Sequence, residues 1–175
     1  QAQPDTLTDE KYQLDEAKRK LARQLYTTGP VSNRVIRTKE RYYGLMESLQ
    51  NWAHTLQEIP PKQREEIQQL KDNEPEAMRG NNYFRVESQY AHCRRVYHNT
   101  VLYTPTLLAY FFHIYAGLSP QEFTDYQRAQ AEIKRGEKAL DRQNYDELRG
   151  VFLNLLGLAK NTEVIETRIK GTGLG

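Results

Sequence analysis

The sequence predicts an all-α protein of antiparallel helical hairpins, a helical bundle of about seven to eight helices. Three observations carry this reading. Apolar residues recur at helical spacing in segment after segment. Proline, glycine and small polar residues punctuate those segments where helices are expected to start and stop. One stretch also occurs twice: Ala77-Met-Arg-Gly-Asn-Asn-Tyr83 and Ala139-Leu-Asp-Arg-Gln-Asn-Tyr145, 62 positions apart. Each copy reads as a helix-turn-helix joint, with Tyr83 and Tyr145 as structural residues wedged behind the turn.

The elements follow in order. Residues 1–8 are polar, and Thr8 before Asp9 and Glu10 can cap a helix carrying Leu14, Ala17, Leu21 and Leu25. Gly29-Pro30 stops it. Ser32 or Asn33 caps the next helix, whose stripe is Leu45, Leu49, Trp52 and Leu56 and which ends at Ile59-Pro60-Pro61. Residues 63–70 read as an exposed helix with only Ile67 and Leu70 apolar. A break follows at 72–75, with Pro75 opening a short helix through Met78.

After the first joint comes a helix over 83–103. Thr104-Pro105 opens an aromatic helix over 106–116, which Gly117 closes. Ser119 and Glu122 form a capping box that opens the long helix carrying Phe123, Tyr126, Ala129, Ile133 and Leu140. The second joint leads to a helix over 145–158, and a glycine-rich terminus ends the chain. Thr100 to Tyr103 and Val164 to Ile169 are the only weak strand candidates. The division into parts is a helical hairpin over 1–60 and a bundle over 61–175, read as one continuous helical unit.

Composition narrows the function classes. The chain has 175 residues, 38% of them hydrophobic and 27% charged, with 12 Tyr and 5 Phe. Its mean hydropathy is −0.85. Such polarity suits amphipathic helices with wide wet faces, and the aromatic content opposes disorder. A net charge of +2 lacks the basic excess of a dedicated nucleic-acid binder. The single cysteine, Cys93, excludes an internal disulfide and fits a reducing, cytoplasmic setting. No apolar run reaches the ~18 residues of a membrane helix. The chain begins with Gln, and both ends read as cut from a larger protein.

No catalytic apparatus is legible, and the reading is non-enzymatic, with no cofactor and no metal. His92, Cys93 and His98 do not converge on one helix face, and neither CxxC nor HExxH occurs. Cys93 as a nucleophile would need a base and an orienting group; Arg94 and Arg95 beside it could depress its pKa, but it lies mid-helix on an apolar face with no Gly-rich elbow to present it, and a core cysteine is preferred. No phosphate loop is present. Arg34, Arg37, Lys39 and Arg41 beside Tyr42 and Tyr43, and Arg94 and Arg95 beside Tyr90 and Tyr97, form a basic and aromatic set. They support the alternative of a helical nucleic-acid-binding domain. Solvated helix faces are the simpler account. Tyr110, Phe111 and Phe112 lie on a helix that is apolar all round, a mark of a central core element or of one covered by a partner. Together with Trp52 they are the candidate interaction surface or groove.

The order Trp52 with its leucine stripe, the aromatic helix over 107–115, Phe123-Thr-Asp125, Gly136-Glu-Lys-Ala-Leu140, Asn144-Tyr-Asp-Glu-Leu-Arg149, Leu155-Leu156 and Gly171-Thr-Gly-Leu-Gly175 resembles the helical C-terminal region of bacterial Hsp70-like, DnaK-related proteins. The similarity covers roughly residues 104–175 and departs at Gly157-Leu158, where the family pattern has Leu-Pro. None of that family's nucleotide-binding domain is recognisable here, so the resemblance carries over no ATPase activity. It implies a chaperone-related, non-catalytic protein-interaction domain with a protein partner or polypeptide substrate, and an ATPase domain in the same parent chain.

Overall fold

The computed structural model describes residues 15–21, 30–162 and 165. The expected Thr8 cap, Leu14, Leu25, Gly29 and the glycine-rich terminus lie outside these. Residues 15–21 are helical and exposed. Six further helices follow: α1 (Pro30–Thr55), α2 (Pro61–Ala77), α3 (Tyr83–Tyr103), α4 (Pro105–Ala116), α5 (Tyr126–Asp141) and α6 (Tyr145–Leu158). Among the described residues there is no strand, only an isolated antiparallel bridge between Phe123 and Ala159. The all-α reading therefore holds. Thr100 to Tyr103, a strand candidate, is helical, as is Ile165 of the other candidate.

The chain divides into two compact units, Gln1–Glu47 with Glu66–Arg95, and Ser48–Glu65 with Val96–Gly175. The sequence boundary at residue 60 falls in the loop between α1 and α2, inside the second unit.

In the first unit, α1 buries Val35, Thr38, Tyr42, Leu45 and Met46, a stripe at helical spacing. The helix begins at Pro30, so Ser32 and Asn33 lie within its first turn instead of capping it. Pro30 suits that position because the first-turn N–H groups have no intrahelical partner. α2 is less exposed than its composition suggests, since Ile67 and Leu70 are buried. It also runs unbroken through Pro75. Pro75 sits in the last turn, where it removes a single backbone bond, and Met78 N–H continues the pattern to the Glu74 carbonyl (2.9 Å). α2 and α3 are antiparallel: Glu76 meets Arg85 and Leu70 meets Gln89.

A buried polar network joins the three helices. Tyr42 Oη donates to Glu74 Oε2 (3.0 Å). Gln89 Nε2 donates to Tyr42 Oη (3.3 Å) and to the Leu70 carbonyl (2.9 Å). Burial pushes the Tyr42 phenol well above its ordinary value, and the Gln89 hydrogen bond only partly offsets this. A phenol whose folded pKa is raised contributes stability that is complete below the unfolded value of about 10 and is lost as pH climbs above it. The slope has an upper limit of about 1.4 kcal/mol per pH unit. Wild-type protein is therefore expected to lose more thermal stability than Tyr42→Phe between pH 9 and 11. Parallel melting curves for the two proteins would show that Tyr42 is not the titrating group.

In the second unit, Leu49, Trp52 and Ile59 are buried, as are Val96, Tyr97 and Val101 of α3, and the Trp52 and Tyr97 ring centres lie 5.0 Å apart. The C-terminus of α1 is closed by one guanidinium. Arg64 donates to the carbonyls of Ala53 (2.7 Å), Leu56 (2.5 Å) and Ile59 (3.2 Å). The Ala53 carbonyl lies in the last turn of α1, where a helix leaves acceptors unpaired and negative, and those of Leu56 and Ile59 follow just beyond its end. Arg64→Ala is expected to destabilise the fold by ~1.5 kcal/mol. Arg64→Lys should recover only part of this, because an ammonium cannot present the same fork. Full recovery by lysine in urea titration would show that charge alone matters.

α4 starts at Pro105, as its sequence requires, but Thr104 makes no side-chain cap. Glu58 Oε1 accepts from Thr106 N–H instead (3.2 Å). Ser119 and Glu122 do pair, since Glu122 Oε2 accepts from Ser119 N–H (3.1 Å). What they open is a single 3₁₀ turn, Pro120–Glu122, not the long helix. Asp125 caps α5, accepting from Arg128 N–H (2.9 Å). Phe123 is left extended, buried and bridged to Ala159.

α5 and α6 are antiparallel, with Glu132 meeting Asn154 and Arg135 meeting Glu147. The α5 face that is fully buried carries only small residues: Ala129, Gly136 and Ala139.

The two joints share one device. Asn82 Oδ1 accepts from Arg85 N–H (3.2 Å) and Asn144 Oδ1 from Glu147 N–H (3.1 Å), each capping the following helix. The left-handed residue differs: Gly80 (φ 67°) in the first joint and Gln143 (φ 54°) in the second. The repeat is thus an N-cap repeat, and the turn before it is built two ways.

Candidate functional site

An apolar cleft opens in the second unit between α3, α4 and α6. α3 supplies Tyr97, His98, Val101 and Leu102, α4 supplies Phe111 and Tyr115, and α6 supplies Phe152, Leu153 and Leu156. Its volume is about 80 Å³. An empty apolar cavity of ~150 Å³ admits benzene, so this one has room for a single small apolar side chain. The lining holds no carboxylate, lysine or arginine.

Helical periodicity places its floor. Tyr97, Phe111, Tyr115 and Phe152 lie on the buried stripes of their helices. Tyr115 meets Phe152 edge-on at 5.3 Å, and Tyr97 meets Phe111 at 6.2 Å and 83°. Trp52 backs this floor, 5.0 Å from Tyr97 and 6.0 Å from Phe111 between ring centres. Edge-to-face pairs of this kind fix ring orientation as well as filling space. The rim is different: Leu153 is 49% exposed, and His98, Leu102 and Leu156 are half-buried.

Arg149 holds the rim in place. Its Nε donates to the Leu102 carbonyl (3.0 Å), its Nη1 meets Asp146 Oδ1 (2.9 Å), and its guanidinium lies 4.3 Å from the centre of the Tyr103 ring. A cation at the last turn of α3 also suits the negative end of that helix. α6 is thereby tied to α3 at Leu102, one of the cleft's lining residues.

Of the residues singled out from the sequence, Trp52 and Phe111 stand at this site as buried residues, Trp52 behind the floor and Phe111 in it. Phe112 is fully buried on the other side of α4, against Gly136 of α5. Tyr110 is half-buried and packs edge-on to Phe111 at 5.6 Å. His113, on the same helix, is exposed. Tyr83 and Tyr145 are half-buried, so neither is the deeply wedged ring expected at the joints. The rim residues His98, Leu102, Leu153 and Leu156 were not legible as a group. One signal was available: Leu153 and Leu156 fall out of phase with the α6 stripe Leu148, Val151, Phe152, Leu155 and Leu158.

The basic set lies in the first unit, and several of its members are engaged within the fold. The Arg34 guanidinium sits 4.9 Å from the centre of the Tyr83 ring and 4.0 Å from Glu87 Oε1. Lys39 Nζ donates to the Gly80 carbonyl (2.6 Å), and Arg94 lies over the Tyr90 ring at 5.9 Å. Arg37, Arg41 and Arg95 are exposed. Cys93 is fully buried, and no group of three or more His, Cys, Asp or Glu side chains placed to hold a metal occurs among the described residues. No helix among the described residues is long and apolar enough to cross a membrane.

No family model matches the chain, and neither a curated protein nor a solved structure matches it.

Proposed function

We propose that the chain is a non-catalytic helical interaction domain that binds polypeptide, with the α3/α4/α6 cleft taking one small apolar side chain of the bound segment. The observation that carries this reading is the open apolar cleft itself, with no carboxylate, lysine or arginine in its lining and rimmed by the half-exposed Leu153. Helical domains commonly engage partners through such grooves, where an apolar anchor gives affinity and the polar surround gives specificity. The resemblance of residues 104–175 to the helical C-terminal region of Hsp70-like proteins supports the same class of function. It makes an ATPase domain in the parent chain part of the proposal, and the single cysteine, Cys93, adds a reducing, cytoplasmic setting.

Trp52 is the only tryptophan and backs the cleft floor, so its emission can report occupancy. Titration with a carboxymethylated, permanently unfolded polypeptide is expected to change that emission saturably. Leu153→Glu places a carboxylate on the rim at a half-exposed position, where the fold can accept it, and is expected to weaken binding at least tenfold. No saturable change in wild type, or equal affinity in a folded Leu153→Glu variant, would overturn the proposal.

A further inference from the structure

We draw no further inference here: the strongest candidate, the open groove of the first unit between α2 and α3 with the exposed Phe84 on its rim, carries nothing because nothing in the structure shows what covers it.

Discussion

Trp52→Ala is expected to cost about 3–5 kcal/mol, the range for removing a buried aromatic side chain. That is a large share of the ~5–15 kcal/mol that stabilises a typical domain. Trp52 is 3% exposed, so the loss combines buried area with two ring contacts, to Tyr97 and to Phe111. Both partners line the cleft, so the variant should also loosen the floor. Urea unfolding followed by far-ultraviolet circular dichroism measures the effect without needing the missing fluorophore. Trp52→Phe should retain much of the stability, because it keeps an aromatic body in the site. A midpoint for Trp52→Ala equal to that of wild type would remove Trp52 from the core of the second unit.

The second large effect is expected at Gly136. In an ordinary helix interior, Gly→Ala gains ~1 kcal/mol. Here the sign should reverse. A Cβ on Gly136 would stand 2.3 Å from Phe112 Cε2 and 3.0 Å from Val151 Cγ1. The Phe112 ring is fully buried and has little room to retreat. Overpacking of this kind costs about 1–3 kcal/mol for the added methyl, and Gly136→Leu should reach the top of that range or pass it. The cause can be isolated by a double-mutant cycle. Phe112→Leu destabilises the wild-type background but should recover part of the loss when combined with Gly136→Ala, a coupling of ~1 kcal/mol or more. Strict additivity of the two substitutions would show that the ring is not the obstacle.

Gly136 also shows what the sequence could and could not express. The Gly136-Glu-Lys-Ala139 spacing is visible in the chain, but its meaning depends on which ring faces it. That ring, Phe112, comes from another helix. Boundaries set by local chemistry were legible. The limits of α3, α4 and α6 follow from Asn82, Pro105 and Asn144, which act on their own neighbours.

Features decided by tertiary packing were not. Pro75 reads as a helix opener, yet α2 continues through it because it occupies the last turn. Ser119 and Glu122 pair as a capping box should, but the burial of Phe123 against the end of α6 draws the chain out before α5 can start. Gln63 is 5% exposed despite its amide, so the buried stripe of α2 runs a full turn further towards the helix start than Ile67 and Leu70 alone announce. The cleft gathers residues from 97 to 156, and only the misfit of Leu153 and Leu156 to their own stripe hints at it.

The hydrogen bonds of Arg64 span 5, 8 and 11 residues of chain. The clasp that joins Thr124 to the Leu158 carbonyl spans 34. Closing the longer loop costs about 1 kcal/mol more entropy than closing the shorter ones, and it needs α5 and α6 already formed between its ends. The Arg64 fork can therefore assemble while most of the chain is still unfolded, whereas the Thr124 clasp records completion. By chain separation alone, the turn after α1 is expected to close earlier in folding than the strap across the ends of α5 and α6, an order that pulse-labelled hydrogen exchange would check.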